Sequence, residues 1–239
     1  MIYETCYVLR RRAYSETSLL LEMLTSESCY VHALYRGAKS KGSTPIDLFA
    51  EYAMSWRPKV GLVTVRSCEL KHTSTLVGDA LYAGLYINEL VRRGMHENQV
   101  VEDVQPAYQA TVQRLEDGNA DLDVVLRTFE KRLLKALGFE LEFHREQATG
   151  DAIMSNSDYL FDPSLGFKKS TDADQASYPG HVLLNISVDQ FEQPDTRQAA
   201  KLILRDALYH HLGESAPKAR SLLSAKQYRE VAYGSVAHD

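Results

Sequence analysis

The chain has 239 residues, 44% of them hydrophobic and 25% charged, enough to bury a sizeable core in one large domain or two smaller ones. No stretch approaches the roughly 20 apolar residues that cross a bilayer, and Met1-Ile2-Tyr3-Glu4 carries neither a basic leader nor an apolar signal core. The expectation is a cytoplasmic protein with no membrane partner. Net charge is −5, but residues 1–80 hold 10 Lys and Arg against 8 Asp and Glu while the remainder hold 17 against 24, so the basic side chains are relatively concentrated at the start.

The first 75 or so residues read as strands. Segments 3–11, 17–25, 29–36, 48–57 and 60–72 are rich in Val, Leu, Tyr, Thr and Cys and are parted by short polar or Gly/Pro-containing stretches. In the last of them Leu62, Val63, Val65, Cys68 and Leu70 alternate imperfectly, as a strongly bent strand in a small barrel does. Five short strands fit an OB-type barrel; an SH3-like barrel has a similar strand count and periodicity does not separate the two. Two basic clusters fall in this region, Arg10-Arg11-Arg12 and Arg36 with Lys39 and Lys41, each dense enough to meet phosphates. The three cysteines, Cys6, Cys29 and Cys68, are odd in number and far apart, which suits neither a disulfide framework nor a four-thiolate zinc site and predicts reduced, buried thiols.

From about Gly78 the period becomes helical. Leu81, Leu85, Asn88 and Val91 form a stripe that ends at Arg92-Arg93-Gly94. A second helix is predicted over about 100–116 with Val104, Ala107, Tyr108, Val112 and Leu115 on one face. A third is predicted from an Asp121 cap through Val125, Leu126, Phe129 and Leu133 to Gly138. A fourth is predicted with Asp195 or Thr196 capping and Ala199, Leu202, Ile203, Leu208, Tyr209 and Leu212 inward, followed by a short helix opened by Pro217. Between the third and fourth helices, residues 146–190 form a polar insert in which Tyr159 to Phe167 suggests a hairpin and Val182 to Ile186 a further strand, with Ser170 to Gly180 its most mobile part. The chain thus reads as α+β and multidomain: an OB-fold barrel over 1–77, a helical domain over 78–145 and 191–239, and a β-hairpin insert over 146–190.

No enzymatic signal stands out. The 13 glycines are scattered, with no phosphate-cradling loop, nucleophile elbow or metal-spaced histidine pair. His210-His211 are adjacent and so diverge on a helix, Asp121-x-Asp123 fits a helix cap, and Asp172-x-Asp174, the one nuclease-like pair, sits in the polar insert. The expectation is no catalytic residue, no metal and no cofactor.

At Tyr7-Val8-Leu9-Arg10-Arg11-Arg12-Ala13-Tyr14-Ser15-Glu16-Thr17-Ser18 the chain resembles the amino-terminal signature of RecO, the bacterial DNA repair and recombination mediator family. Arg36-Gly37-Ala38-Lys39-Ser40-Lys41 is similar to the family's basic loop, and Leu81 to Leu90 to its first helix. Leu126-Arg127-Thr128-Phe129-Glu130 through Gly138-Phe139, and Thr196 to Lys201 with Leu212-Gly213, continue the resemblance in family order. Residues 140–190 contain no cysteine, so the insert resembles the zinc-free form, and the tail after Lys218-Ala219-Arg220 has fewer basic residues than the family pattern.

The resemblance implies a non-enzymatic, nucleoid-associated protein that binds single- and double-stranded DNA and anneals strands coated with single-stranded DNA-binding protein. It also implies work with RecR and, indirectly, with RecA. The phosphate contacts are then Arg10, Arg11, Arg12, Arg36, Lys39 and Lys41, with Tyr14 and Tyr35 as stacking faces. The implied seat for the acidic, Phe-ended tail of single-stranded DNA-binding protein is Arg127 with Arg132, Leu115 and Phe129. An RNA-binding OB protein is the alternative, since shape and charge do not separate RNA from DNA.

Overall fold

The computed structural model describes residues 1–58, 60–171 and 176–213, which form two compact units, 1–120 and 121–213. The expected helix at Pro217, the tail after Lys218, and the pair Asp172 and Asp174 lie outside the described residues.

In the first unit, β1 (Ile2–Ala13), β2 (Leu19–Thr25), β3 (Tyr30–Tyr35), β4 (Glu51–Trp56) and β5 (Val63–His72) close into a barrel in the order β1-β2-β3-β5-β4. Closure depends on the length of β1. Its first half pairs with β4, from Ile2 opposite Trp56 to Tyr7 opposite Glu51, and its second half with β2, ending at Ala13 opposite Leu19. A bulge between Val8 and Arg10 lets one strand turn the corner between the two. Strands β3 and β5 run parallel at Ala33–Val63 and Leu34–Thr64. That order and parallel seam define an OB barrel, which strand count alone left open.

Val8, Leu21, Met23, Val31, Ala33, Tyr52, Met54, Trp56, Val63 and Val65 fill the barrel. The imperfect alternation of β5 has a local cause: Trp56 faces Val65 while Ser55 faces Ser67, so the register slips by a residue at Arg66 and brings Cys68 back toward the core. Leu62 and Leu70 remain exposed. The cysteines are free, Cys6 buried and Cys29 and Cys68 half-buried; burial pushes the Cys68 thiol up to about 11.

Tyr7, Leu24 and Tyr30 make a paired row on the outside of β1, β2 and β3, and all three are buried. Apolar side chains there require a cover. Helices α1 (Gly78–Gly94) and α2 (Val104–Asp117) belong to the same compact unit as the barrel and provide it. Tyr108 meets Tyr7 edge-on with centroids 5.3 Å apart, the Asn88 amide donates to the Leu9 carbonyl at 3.0 Å, and the Tyr108 hydroxyl donates to Asn88 Oδ1 at 2.7 Å. The units therefore part after Ala120, whereas the change of period comes at about residue 77.

The buried face of α1 is Ala83, Gly84, Tyr86, Ile87, Asn88, Leu90 and Val91, which takes in Asn88 and Val91 of the expected stripe, whereas Leu81 and Leu85 are only half-buried. Gly84 is required by proximity: a Cβ there would stand 2.6 Å from Leu76 and 2.7 Å from the Phe49 ring. Helix α2 starts at Val104 rather than near 100 because 98–101 lie along the free edge of β3. Asn98 donates to Tyr30, Tyr30 to Gln99, and Val101 to Ser28, which protects that edge.

The second unit holds α3 (Leu122–Ala136), a small sheet of β6 (Asp158–Asp162), β7 (Gly166–Lys169) and β8 (Tyr178–Pro179), then α4 (Gly180–Ser187) and α5 (Pro194–Leu212). Asp121 caps α3 as expected, its Oδ1 accepting from Asp123 N at 3.0 Å. The hairpin forms where expected. Val182 to Ile186 form α4 instead of a strand: Val182, Leu183 and Ile186 fall on one buried face at helical spacing, and Lys131 on α3 closes the helix by donating to the Ile186 and Ser187 carbonyls at 2.7 and 3.0 Å.

Helix α5 is opened by Pro194 in its first turn, with Gln193 at the cap making no side-chain bond, so neither Asp195 nor Thr196 is its cap. Its buried face is Thr196, Ala199, Ala200, Ile203, Leu204, Ala207 and Leu208, while Leu202, Tyr209 and Leu212 are half-buried. Tyr159 and Phe167 of the insert are each 1% exposed, and Phe167 packs on Phe143 and Phe161 with centroids 5.2 Å apart.

Candidate nucleic-acid interface

Both basic clusters come to one end of the barrel. Arg10, Arg11 and Arg12 lie on the last turnward stretch of β1, opposite Glu22, Leu21 and Leu20. Tyr14 to Ser18 then turn into β2, with Tyr14 N donating to Ser18 O at 3.0 Å and Ser18 N to the Ser15 hydroxyl at 3.2 Å. The second cluster follows β3, whose last residue, Tyr35, pairs with Leu19 beside that turn. Lys39 joins the two loops directly: its backbone N–H donates to Thr17 O at 3.0 Å and its ammonium to Ser15 O at 3.1 Å.

The six cations divide by what holds them. Arg12, Arg36 and Lys41 are exposed and enter no ion pair among the described residues. Arg11 pairs with Asp47 at 3.1 Å, both side chains about half exposed. Arg10 pairs with Glu22 at 3.2 Å. Lys39 spends its ammonium on the neighbouring loop, so it braces the rim as well as adding charge. The aromatic pair divides too. Tyr14 is 63% exposed and offers a face to solvent. Tyr35 is half-buried against the barrel core, where burial and then the nearby Cys68 hold its hydroxyl above its ordinary pKa; its place is packing.

One cation that the clusters do not reveal joins them through Glu22. Arg92, in the last turn of α1, donates through Nε to Glu22 Oε2, and no sequence signal pairs residues 70 positions apart. Tyr30 donates to the same oxygen at 2.6 Å. Burial alone would push the Glu22 carboxyl up, but hydrogen bonds from Arg92 and Tyr30 and the charges of Arg92 and Arg10 outweigh it and hold it below the ordinary range.

Three of the four residues expected to seat an acidic tail are buried. Arg127 is 3% exposed and Phe129 1%; the Arg127 guanidinium lies against Glu130 Oε2 at 2.6 Å, with the carboxylate wholly buried, and its Nε has no hydrogen-bond partner among the described residues. Leu115 is buried in α2, in the first unit. Only Arg132 is exposed. It lines a cleft of about 100 Å³ with Lys131, Lys135, Glu140, Leu141, Glu142, Phe143 and His144, whose floor is apolar because Leu141 and Phe143 are 9% and 2% exposed. Elsewhere in this unit His211 stacks on Phe139 at 4.0 Å and His210 meets Ser164 at 3.0 Å. Burial, then His210, lowers the His211 pKa.

Comparison with known proteins covers both units. Residues 1–74 match the family model described as recombination protein O N terminal, and residues 77–221 the one described as recombination protein O C terminal. The chain is 33% identical over 223 residues to the DNA repair protein RecO of Actinobacillus pleuropneumoniae serotype 7, covering 92% of this chain and 93% of that one. It is 31% identical over 224 residues to the protein of the same name from Pectobacterium atrosepticum, covering 92% and 91%. With the one from Cupriavidus metallidurans it shares 30% over 232 residues, 94% of this chain and 78% of the relative.

Proposed function

Because the chain belongs to the RecO family of DNA repair proteins, we propose that it acts without catalysis, binding DNA on the basic rim of its barrel and annealing complementary strands. The observation that carries this reading is the convergence at one barrel end of Arg12, Arg36 and Lys41, all exposed, from two loops bound together by Lys39. Cations in such a rim neutralise phosphates without regard to sequence, and an exposed Tyr14 adds a face on which a base can stack. Annealing then requires no chemistry. Screening both backbones removes the repulsion between strands, and base pairing supplies the free energy.

The cleft at Arg132 is our seat for the acidic, Phe-ended tail of single-stranded DNA-binding protein: its apolar floor takes the ring and Arg132 meets the carboxylates, while Lys131 and Lys135 are paired with Asp189 and Glu140. Arg127 and Phe129, both buried, are outside this reading of the seat. Work with RecR and the loading of RecA rest on family membership.

The test is annealing of complementary oligonucleotides precoated with single-stranded DNA-binding protein, across a salt series. Acceleration that fades with salt, and that the triple variant Arg12→Ala/Arg36→Ala/Lys41→Ala loses, is the expected result. Unchanged annealing by the triple variant removes the rim from the function. Arg132→Glu is expected to abolish acceleration on coated strands while leaving naked-strand annealing intact; unaltered action on coated strands would unseat the tail from this cleft.

A further inference from the structure

Glu22 stands on the outer face of β2, and three donors from three elements converge on it. Arg10 Nη1 of β1 reaches Oε1 at 3.2 Å, the Tyr30 hydroxyl of β3 reaches Oε2 at 2.6 Å, and Arg92 Nε of α1 reaches Oε2 as well. Next to them, His32 Nε2 lies 3.3 Å from the Tyr30 hydroxyl and its Nδ1 3.4 Å from Glu97. Two guanidiniums and a hydroxyl around one small anion are the donor set that takes the oxygens of a phosphodiester. The set is continuous with the rim, because Arg12 lies two residues beyond Arg10 on the same strand and so projects to the same side.

The three side chains differ in how firmly they hold. Glu22 is 18% exposed and Arg92 24%, whereas Arg10 is 50% exposed and touches the carboxylate through one contact. An exposed pair of that kind is weak and readily exchanged. Two permanent cations also leave one unit of positive charge uncompensated by Glu22. Arg93, one residue on, serves as the contrast: it turns back to Glu89 in its own helix at 2.6 Å.

We propose that the Glu22 carboxylate is an internal stand-in for a backbone phosphate, that DNA takes its place between Arg10 and Arg92, and that Glu22 thereby sets the affinity of the rim. Arg92 is then a DNA contact outside the barrel, and Glu22 a positioning residue that competes with the ligand. The inference rests on the reading of the rim as a DNA surface.

The experiment is fluorescence anisotropy of a labelled single-stranded oligonucleotide against the full chain, at several salt concentrations, for Glu22→Gln, Arg92→Ala, Arg93→Ala and Glu27→Gln. Glu27 is exposed in the turn between β2 and β3, so Glu27→Gln makes the same change in net charge away from the arginines. Glu22→Gln is expected to tighten binding about three- to fivefold, the scale of one exposed ion pair. It should also steepen the salt slope by about 0.7 for each phosphate newly met. Arg92→Ala should weaken binding by a similar factor and, in the double variant, cancel the gain from Glu22→Gln. Arg93→Ala and Glu27→Gln should stay within about twofold of the parent.

Glu22→Gln binding no tighter than Glu27→Gln, or Arg92→Ala binding like the parent, overturns the proposal. If circular dichroism shows Glu22→Gln misfolded, the Arg92→Ala and Arg93→Ala pair decides alone. The triple rim variant separates the two levels: if it binds like the parent, the rim reading and this inference fall together. If it binds weakly while Glu22→Gln and Arg92→Ala change nothing, only the inference falls.

Discussion

Glu22 and Glu130 each meet arginine, and the two places differ in water. At Glu22 one arginine is half exposed and the carboxylate retains a path to solvent; at Glu130 the carboxylate and the Arg127 guanidinium are 0% and 4% exposed. In the first place solvent and a ligand can compete for the ions. In the second, losing the partner removes a counter-charge from an ion held in the protein interior, which costs several kcal/mol. The same pair of residue types is thus an exchangeable surface contact in one unit and a fixed core element in the other.

The sharpest break in that comparison comes from Arg127. Arg127→Met should take the buried Arg127 counter-charge from Glu130 and destabilise the second unit by about 3–5 kcal/mol, lowering its thermal midpoint by roughly 15–25 °C. Arg127→Met/Glu130→Leu should recover most of that loss, because two apolar chains of similar volume carry no desolvation penalty. A double variant as unstable as the single one would mean that the pair stabilises rather than merely avoids a penalty.

A smaller effect is expected at Asn88, which is neutral and buried. Asn88→Ala leaves the Leu9 carbonyl and the Tyr108 hydroxyl without their partner, at a cost of about 2–3 kcal/mol. Chemical denaturation would read this as a lower midpoint at unchanged slope. A midpoint equal to the parent's would mean that water replaces the amide.

The smallest effect belongs to Glu22. Its carboxyl is held below the ordinary value of 4.5 in the folded chain, so its contribution is present above that pH and is lost as pH falls through the lower folded value. Glu22→Gln should therefore be less stable than the parent by about 1 kcal/mol at neutral pH, and the difference should close in acid below about pH 4.5. A gap that persists in acid would assign the loss to packing instead of charge.

How much of this was legible in the sequence depended on whether the signal was local. Arg10 to Arg12 run straight into the Ser15–Ser18 turn, and the basic loop from Arg36 lies a strand away, so both ends of the rim are readable in the chain itself. Arg92 is not, because its partner is 70 residues distant. Arg127 reads as a surface charge, since nothing local says that a guanidinium faces inward. Val182 to Ile186 is a short apolar run of the kind that fits a strand or a buried helix equally well, and the cover of α1 over the tyrosine row is invisible to periodicity.

The sequence by itself determined what neighbouring residues decide: the strand and helix periods, most turns and caps, the two basic clusters, and the family. Tertiary structure decided which charges face water and which face each other. Burial and pairing depend on residues brought together from distant elements, and the cost of desolvating an ion turns one arginine into a ligand contact and another into part of the core.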